Sequence, residues 1–152
     1  MIIYPDHLFI VPGEPQGKGR PRFMRSGHTY TPSKTAAYES LVRACYYREA
    51  EAHNWLPFHA EPLQVYIVAI FGIPKSTTKK NKALMLLDRL KPRKKPDADN
   101  IGKVVCDALN GHAYKDDAQI TALSIVKKYG PEPMIKVLIA IDNDQLPEYA
   151  DE

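Results

Sequence analysis

Cysteine is scarce in this chain. Cys45 and Cys106 each fall inside a helix-like pattern, with no second Cys or His at metal-ligand spacing. Neither a disulfide framework nor a thiolate zinc site is expected, and free, buried, reduced thiols of a cytoplasmic protein are the default. Long hydrophobic runs are also missing. The longest apolar stretch, Val65 to Ile73, is far too short to span a bilayer, so no membrane association is expected. The N-terminus lacks the basic region and apolar run of a secretory signal. His7, His28, His53, His59 and His112 are scattered without ligand spacing, which argues against a histidine metal centre. There is no Gly-x-Ser-x-Gly elbow for acyl transfer, no dinucleotide-binding glycine fingerprint, and no Gly-Lys-Ser/Thr ending of a nucleotide-binding loop. No internal repeat or low-complexity segment stands out.

What is present is 152 residues, one domain by length, with 44% hydrophobic residues and enough of them for a sizeable core. The net charge is only +3, but it is unevenly spread. Lys75 to Lys95 holds nine Lys or Arg and a single acid, Asp88, whereas the last eleven residues hold five acids and no base. A basic block ahead of an acidic cluster suits a polyanionic substrate better than a small neutral one. The bland alternative is a solvated helix face. A second basic region, Glu14 to Phe23, is rich in Gly and Pro and reads as a loop. Its Lys18, Arg20 and Arg22, with Arg25 beyond, are candidates for phosphate contact, and Gly17 and Gly19 permit close approach of the backbone.

The periodicities place elements around these regions. Leu8 to Val11 reads as a strand. Thr31-Pro32-Ser33 reads as a helix start with Thr31 as cap, opening a helix to about His53 with an apolar stripe of Tyr38, Leu41, Val42, Cys45 and Ala52. Leu63 to Ile73 reads as a central strand covered on both faces. Ser76 is positioned to cap a short basic helix over about Thr78 to Leu90, docked by Leu84, Leu87 and Met85. Gln119 to Tyr129 and Met134 to Asp142 read as a terminal hairpin, because Gly130 to Pro133 is of hairpin length. The order is β-α-β-α-α-β-β, an α+β domain with helices packed on a mixed β-sheet.

The most informative stretch runs from Lys95-Pro96-Asp97-Ala98-Asp99-Asn100 to Asp116-Asp117. Pro96 favours an extended entry, and if Asp97 to Asp99 is extended both carboxylates leave one face. Asp99 stands where a helix cap belongs, and Ile101, Val104, Val105, Ala108 and Leu109 then recur at helical spacing until Asn110-Gly111 stops the helix. Lys103, four residues past Asp99, shares the acid-bearing side. Acids converging from two elements suit Mg²⁺, a hard cation that takes oxygen ligands. Arg93, Lys94 and Lys95 beside Asp97 fit phosphates running past such a site, or simply offset repulsion among the acids. Residue chemistry does not choose between Asp116 and Asp117. Asp107 is expected to bridge Lys103, and Asn100 either touches backbone or substrate or is a plain helix-start residue.

Asp97-Ala98-Asp99-Asn100, Lys103, Asp107-Ala108-Leu109 and Asp116-Asp117 together resemble the RusA family of Holliday junction resolvases. A weaker likeness covers Val11-Pro12-Gly13, Arg20-Pro21-Arg22-Phe23 and Tyr30-Thr31-Pro32. The resemblance implies a dimeric, Mg²⁺-dependent endodeoxyribonuclease, of a kind common in prophages, that acts on four-way junction DNA in recombination and repair. One or two ions per subunit are implied, with Mn²⁺ as a substitute. Asp97, Asp99 and Asp117 are implied as ligands and, with Lys103, as the catalytic set. Lys18, Arg20, Arg22, Arg93, Lys94 and Lys95 are the expected nucleic-acid contacts. Residues 1–142 form the expected nuclease domain and 143–152 an acidic tail. A homodimer also follows from symmetry: paired nicks across a junction need two acid sets, and this chain has one. Two other classes remain open. A branched-DNA-binding protein that does not cut would keep the basic regions but need no acids. A nucleotide phosphohydrolase would need a base-sized pocket.

Overall fold

The computed structural model describes residues 5–143. A four-stranded mixed sheet carries three helices. β1 (His7–Pro12), β4 (Leu63–Gly72), β5 (Ile120–Gly130) and β6 (Met134–Ile141) form the sheet in the order β1-β6-β4-β5. β2 (Arg22–Phe23) and β3 (Thr29–Tyr30) pair as a separate two-stranded ribbon. The helices are α1 (Ser33–His53), α2 (Lys79–Leu86) and α3 (Ala98–Leu109). Among the described residues, no helix is long and apolar enough to cross a membrane.

The α+β class and the mixed sheet agree with the sequence reading, with the ribbon as an addition. The terminal hairpin does not. β4 lies between β5 and β6, parallel to β5 and antiparallel to β6. Strands two places apart are separated by about 10 Å, and four extended residues span about 13 Å, so Gly130 to Pro133 can step over the end of β4. The same loop length that fits a hairpin therefore fits this crossing as well. Gly13 donates its backbone N–H to the Pro133 carbonyl at 3.1 Å and ties the step to the end of β1.

β4 is central, but only one of its faces is fully covered; on the other, Val68 and Ile70 are half-buried. Leu63, Val65, Ile67, Ala69 and Phe71 are buried, while Gln64 and Tyr66 between them are exposed. Phe9 and Val11 of β1 and Ile135, Val137 and Ile139 of β6 share the buried face. α1 and α3 pack over it, and Ile101, Val104, Val105, Ala108 and Leu109 bury as their spacing requires. The opposite face leaves Leu8, Ile10 and Tyr66 in contact with solvent. Gly102 explains how α3 lies so close to β5: a Cβ there would meet Ile125 Cδ1 at 2.4 Å. This glycine serves internal packing.

Several boundaries shift from expectation. α1 starts at Ser33 with Pro32 in the cap position, and no side chain caps it. Its buried residues are Thr35, Tyr38, Val42, Tyr46 and Ala50, whereas Leu41 is exposed. α2 is capped by Thr78, whose hydroxyl accepts from Asn81 N–H at 3.2 Å, and Leu87 is exposed beyond its end. The expected acidic tail lies, apart from Asn143, outside the described residues.

His7 is a buried polar residue in this core. Its ring stacks on Trp55 with centroids 4.3 Å apart, and Nδ1 lies 3.3 Å from the Tyr46 hydroxyl. Nε2 has no partner among the described residues. Burial lowers the His7 pKa to about 4, so the imidazole is neutral in the fold. The unfolded chain takes up a proton near pH 6.5. Stability from the neutral ring is therefore complete above pH 6.5 and falls as the pH drops toward 4, by about 3 kcal/mol in all. Thermal melts between pH 7 and 4 will show this fall, and His7→Phe will flatten it. An equally steep fall in the His7→Phe protein would assign the acid sensitivity elsewhere.

Candidate active site and nucleic-acid interface

The loop between β1 and the ribbon is held against the start of α3. The Lys18 N–H donates to the Asn100 carbonyl at 3.2 Å, and the Gly19 N–H donates to Thr35 Oγ1 at 3.0 Å. Gly17 sits where a Cβ would come within 2.9 Å of Pro96 Cβ and 3.1 Å of Asn100 Cβ. The requirement for glycine at this close approach is thus met by protein contacts. The Lys18 ammonium bridges α1 and α3, donating to Glu39 and lying 3.2 Å from Asp107. Burial opposes its charge, but the hydrogen bonds to Glu39 and Asp107 outweigh that and raise its pKa. Lys18 is therefore engaged in internal ion pairs, and its side chain is only 17% exposed. Asp107 takes Lys18 as its ion-pair partner in place of the expected Lys103.

The remaining bases of the loop are free to face solvent. Arg20, Arg22 and Arg25 are exposed, as are Arg93, Lys94 and Lys95. Lys94 and Lys127 both lie over the Phe71 ring, at 5.8 and 5.2 Å from its centroid. A groove of about 660 Å³ joins the two basic regions. Arg20, Arg22, Lys34 and Lys95 line it together with Asp97 and Asn100.

Asp97 is the N-cap of α3 and Asp99 lies in its first turn, following a cis Lys95–Pro96 bond. The helix begins earlier than the extended reading of Asp97 to Asp99 requires. Asp97 keeps extended backbone angles as the cap while Asp99 is already helical, so the continuous extended run that would send both carboxylates from one face is not formed. Asp97 makes no capping hydrogen bond with its side chain. Lys103 is exposed on the same helix.

The second acid pair divides its labour. The Asp116 carboxylate accepts from Ala118 N–H at 2.9 Å, and Gln119 Oε1 accepts from Asp116 N–H at 3.0 Å. This capping box opens a one-turn 3₁₀ helix, Asp117–Gln119. The Asp117 N–H donates to Asn110 Oδ1 at 3.1 Å. Desolvation, then the neighbouring Asp116 and Asp107 carboxylates, raise the Asp117 pKa.

Carboxylate oxygens are the donors a hard divalent cation prefers. Their chemistry fits such an ion, and Asp97 is not consumed by a structural bond. Asp117 lies beside Asp116 and Asp107, while Asp97 and Asp99 are carried at the start of α3. Among the described residues, no group of three or more His, Cys, Asp or Glu is placed to hold a metal.

Residues without an assigned role in the sequence reading also shape the site. Thr35 and Glu39 on α1 hold the basic loop, and Lys34 joins the groove wall. Their helical spacing on α1 was visible, but their target is brought near only by the fold. Tyr47 and His112 link α1 to the turn after α3, with Oη and Nδ1 2.6 Å apart.

Exposed bases from the β1–ribbon loop, α1 and the segment before α3 thus meet the Asp97 carboxylate in one groove at the start of a packed helix. The chain belongs to the RusA family of endodeoxyribonucleases: the family model described as Endodeoxyribonuclease RusA matches residues 12–140. It is also similar to a protein of Bacillus subtilis (strain 168) described as uncharacterized protein YqaN. The two are 36% identical over 136 residues, covering 86% of this chain and 93% of the relative.

Proposed function

We propose that the protein is a Mg²⁺-dependent, structure-specific endodeoxyribonuclease that resolves Holliday junctions by paired symmetric nicks as a homodimer. The observation that carries this reading is the groove in which Arg20, Arg22, Lys34 and Lys95 meet Asp97 and Asn100. Phosphate contacts set the position and orientation of DNA without reading its sequence. In this proposal Arg20, Arg22, Arg93, Lys94 and Lys95 supply those contacts. Lys18 acts indirectly, by fixing the loop that presents Arg20 and Arg22.

Asp97, Asp99 and Asp117 would hold the metal. A bound divalent cation supplies a Lewis acid for the attacking water and the leaving 3′-oxygen. Lys103 stabilises the negative charge that develops on the phosphate during attack. Asp116, engaged in its capping box, keeps the turn that presents Asp117 in shape. Two copies are required because each contributes one acid set and the two cuts are related by a two-fold.

The test is cleavage of a labelled four-way junction beside linear duplex of the same sequence, in Mg²⁺ and in EDTA. Paired nicks in the junction alone, lost in EDTA, are expected. Junction binding without cutting in either Mg²⁺ or Mn²⁺ would replace this reading with a non-cleaving branched-DNA binder. Hydrolysis of free nucleotides that branched DNA fails to inhibit would point to a phosphohydrolase.

A further inference from the structure

Apart from Arg22, the β2–β3 ribbon is not used by the chemistry above, yet its composition is unusual for a surface hairpin. Every residue from Arg20 to Thr31 is exposed. Phe23 is 79% exposed and Tyr30 46%, and Met24 is exposed beside them. Burying a phenylalanine side chain is favourable, and in this structure Phe23 gains little of that. The ribbon is nevertheless a defined element. Met24 N–H donates to the His28 carbonyl at 2.7 Å, Gly27 N–H donates to the Met24 carbonyl at 2.9 Å, and Gly27 supplies the turn with φ +87°.

Register decides what each side of the ribbon presents. Arg22 pairs with Tyr30, and Phe23 with Thr29. Cross-strand partners share a face and successive residues alternate. Arg22 lines the groove that contains Asp97, so Phe23 leaves by the other side. The ribbon therefore has a basic side toward the groove and an unsupported aromatic ring on the side away from it. Arg20 and Arg25 flank it in sequence. Aromatic rings interleaved with bases form a stacking platform for nucleobases, and apolar wedges inserted at base steps unstack and kink a duplex.

We propose that this ribbon is a branch-point wedge. One DNA arm lies in the groove against Arg22, and Phe23 stacks on a nucleobase exposed where the neighbouring arm departs. On this view Phe23 sets the preference for branched over continuous duplex, which rests on the nuclease reading above. A continuous duplex offers no free base face, so the ring gains nothing from it.

The test uses the full-length protein, a four-way junction carrying 2-aminopurine at the branch point, and a linear duplex with the same label. Phe23→Ala is compared with Phe23→Trp, and thermal melts report folding. The parent protein should change the branch-point fluorescence. Phe23→Ala should lose that change together with about tenfold in the junction-to-duplex affinity ratio, and Phe23→Trp should restore both. An unchanged ratio and signal in Phe23→Ala would overturn the wedge. An equal loss on junction and duplex would do so too, as would conversion of a dimer to a monomer, which would make the ribbon a subunit contact. Junction cleavage by the parent protein is scored separately, so failure of the nuclease reading is distinguishable from failure of the wedge.

Discussion

Asp97→Asn, Asp99→Asn and Asp117→Asn will each lower junction cleavage by more than about 100-fold, above the loss typical of residues that merely support a metal ligand. Junction binding will remain, because phosphate contacts from the basic groove carry most of the affinity. Folding will remain as well. The Asp97 carboxylate makes no cap bond, so an amide there removes charge and not structure. Asp117 is crowded by Asp116 and Asp107, and its pKa is raised by desolvation and by these neighbours. Neutralising it relieves repulsion, so the Asp117→Asn protein should melt no lower than its parent at neutral pH. Asp116→Asn serves as contrast, since its capping role survives as an amide oxygen. Single-turnover cleavage with a parallel binding assay checks all four proteins. Full activity in the three ligand variants would remove the proposed site.

Gly17→Val will have the second large effect, for a reason only the structure supplies. The new Cβ would stand 2.9 Å from Pro96 Cβ and 3.1 Å from Asn100 Cβ. Both are anchored atoms close to the backbone, so the loop itself must move. That movement breaks the hydrogen bond from Lys18 N–H to the Asn100 carbonyl and shifts Arg20 and Arg22 relative to Asp97. A displacement of about 1 Å in a positioning element can cost about 100-fold in rate, and cleavage should fall on that scale. The melting temperature should fall only modestly, since the loop lies outside the packed sheet face. Parent-like cleavage by Gly17→Val would show that the loop does not position substrate.

The local signals were the readable ones. The apolar spacing from Ile101 to Leu109 and the Asn110-Gly111 stop describe α3 as observed. The strand segments also fall within a residue or two of their predicted limits. What could not be read was competition among partners. The segments of β5 and β6 are joined by a loop that suits a hairpin, but β4 outcompetes each for the other. Lys103 sits four residues from Asp107 and looked like its partner. Lys18, distant in sequence, takes that place because the loop folds back across α1 and α3. In α1 the buried stripe runs through Tyr46 and Ala50, and Tyr46 meets Phe9 of β1 and the His7 ring.

By itself, the amino-acid sequence determined the kind of chemistry: oxygen donors without histidine or cysteine ligands, two basic regions, and a helix carrying acids at its start. These depend on residue type and on spacing within one turn or strand, which the chain specifies locally. The tertiary structure decided which charges are spent and which are free. It paired Lys18 with Glu39 and Asp107, committed Asp116 to a cap, and left Asp97 and Arg22 facing one groove. An ion pair or a cap depends on which side chains the packed sheet and helices bring within a few ångströms, and no local periodicity encodes that distance.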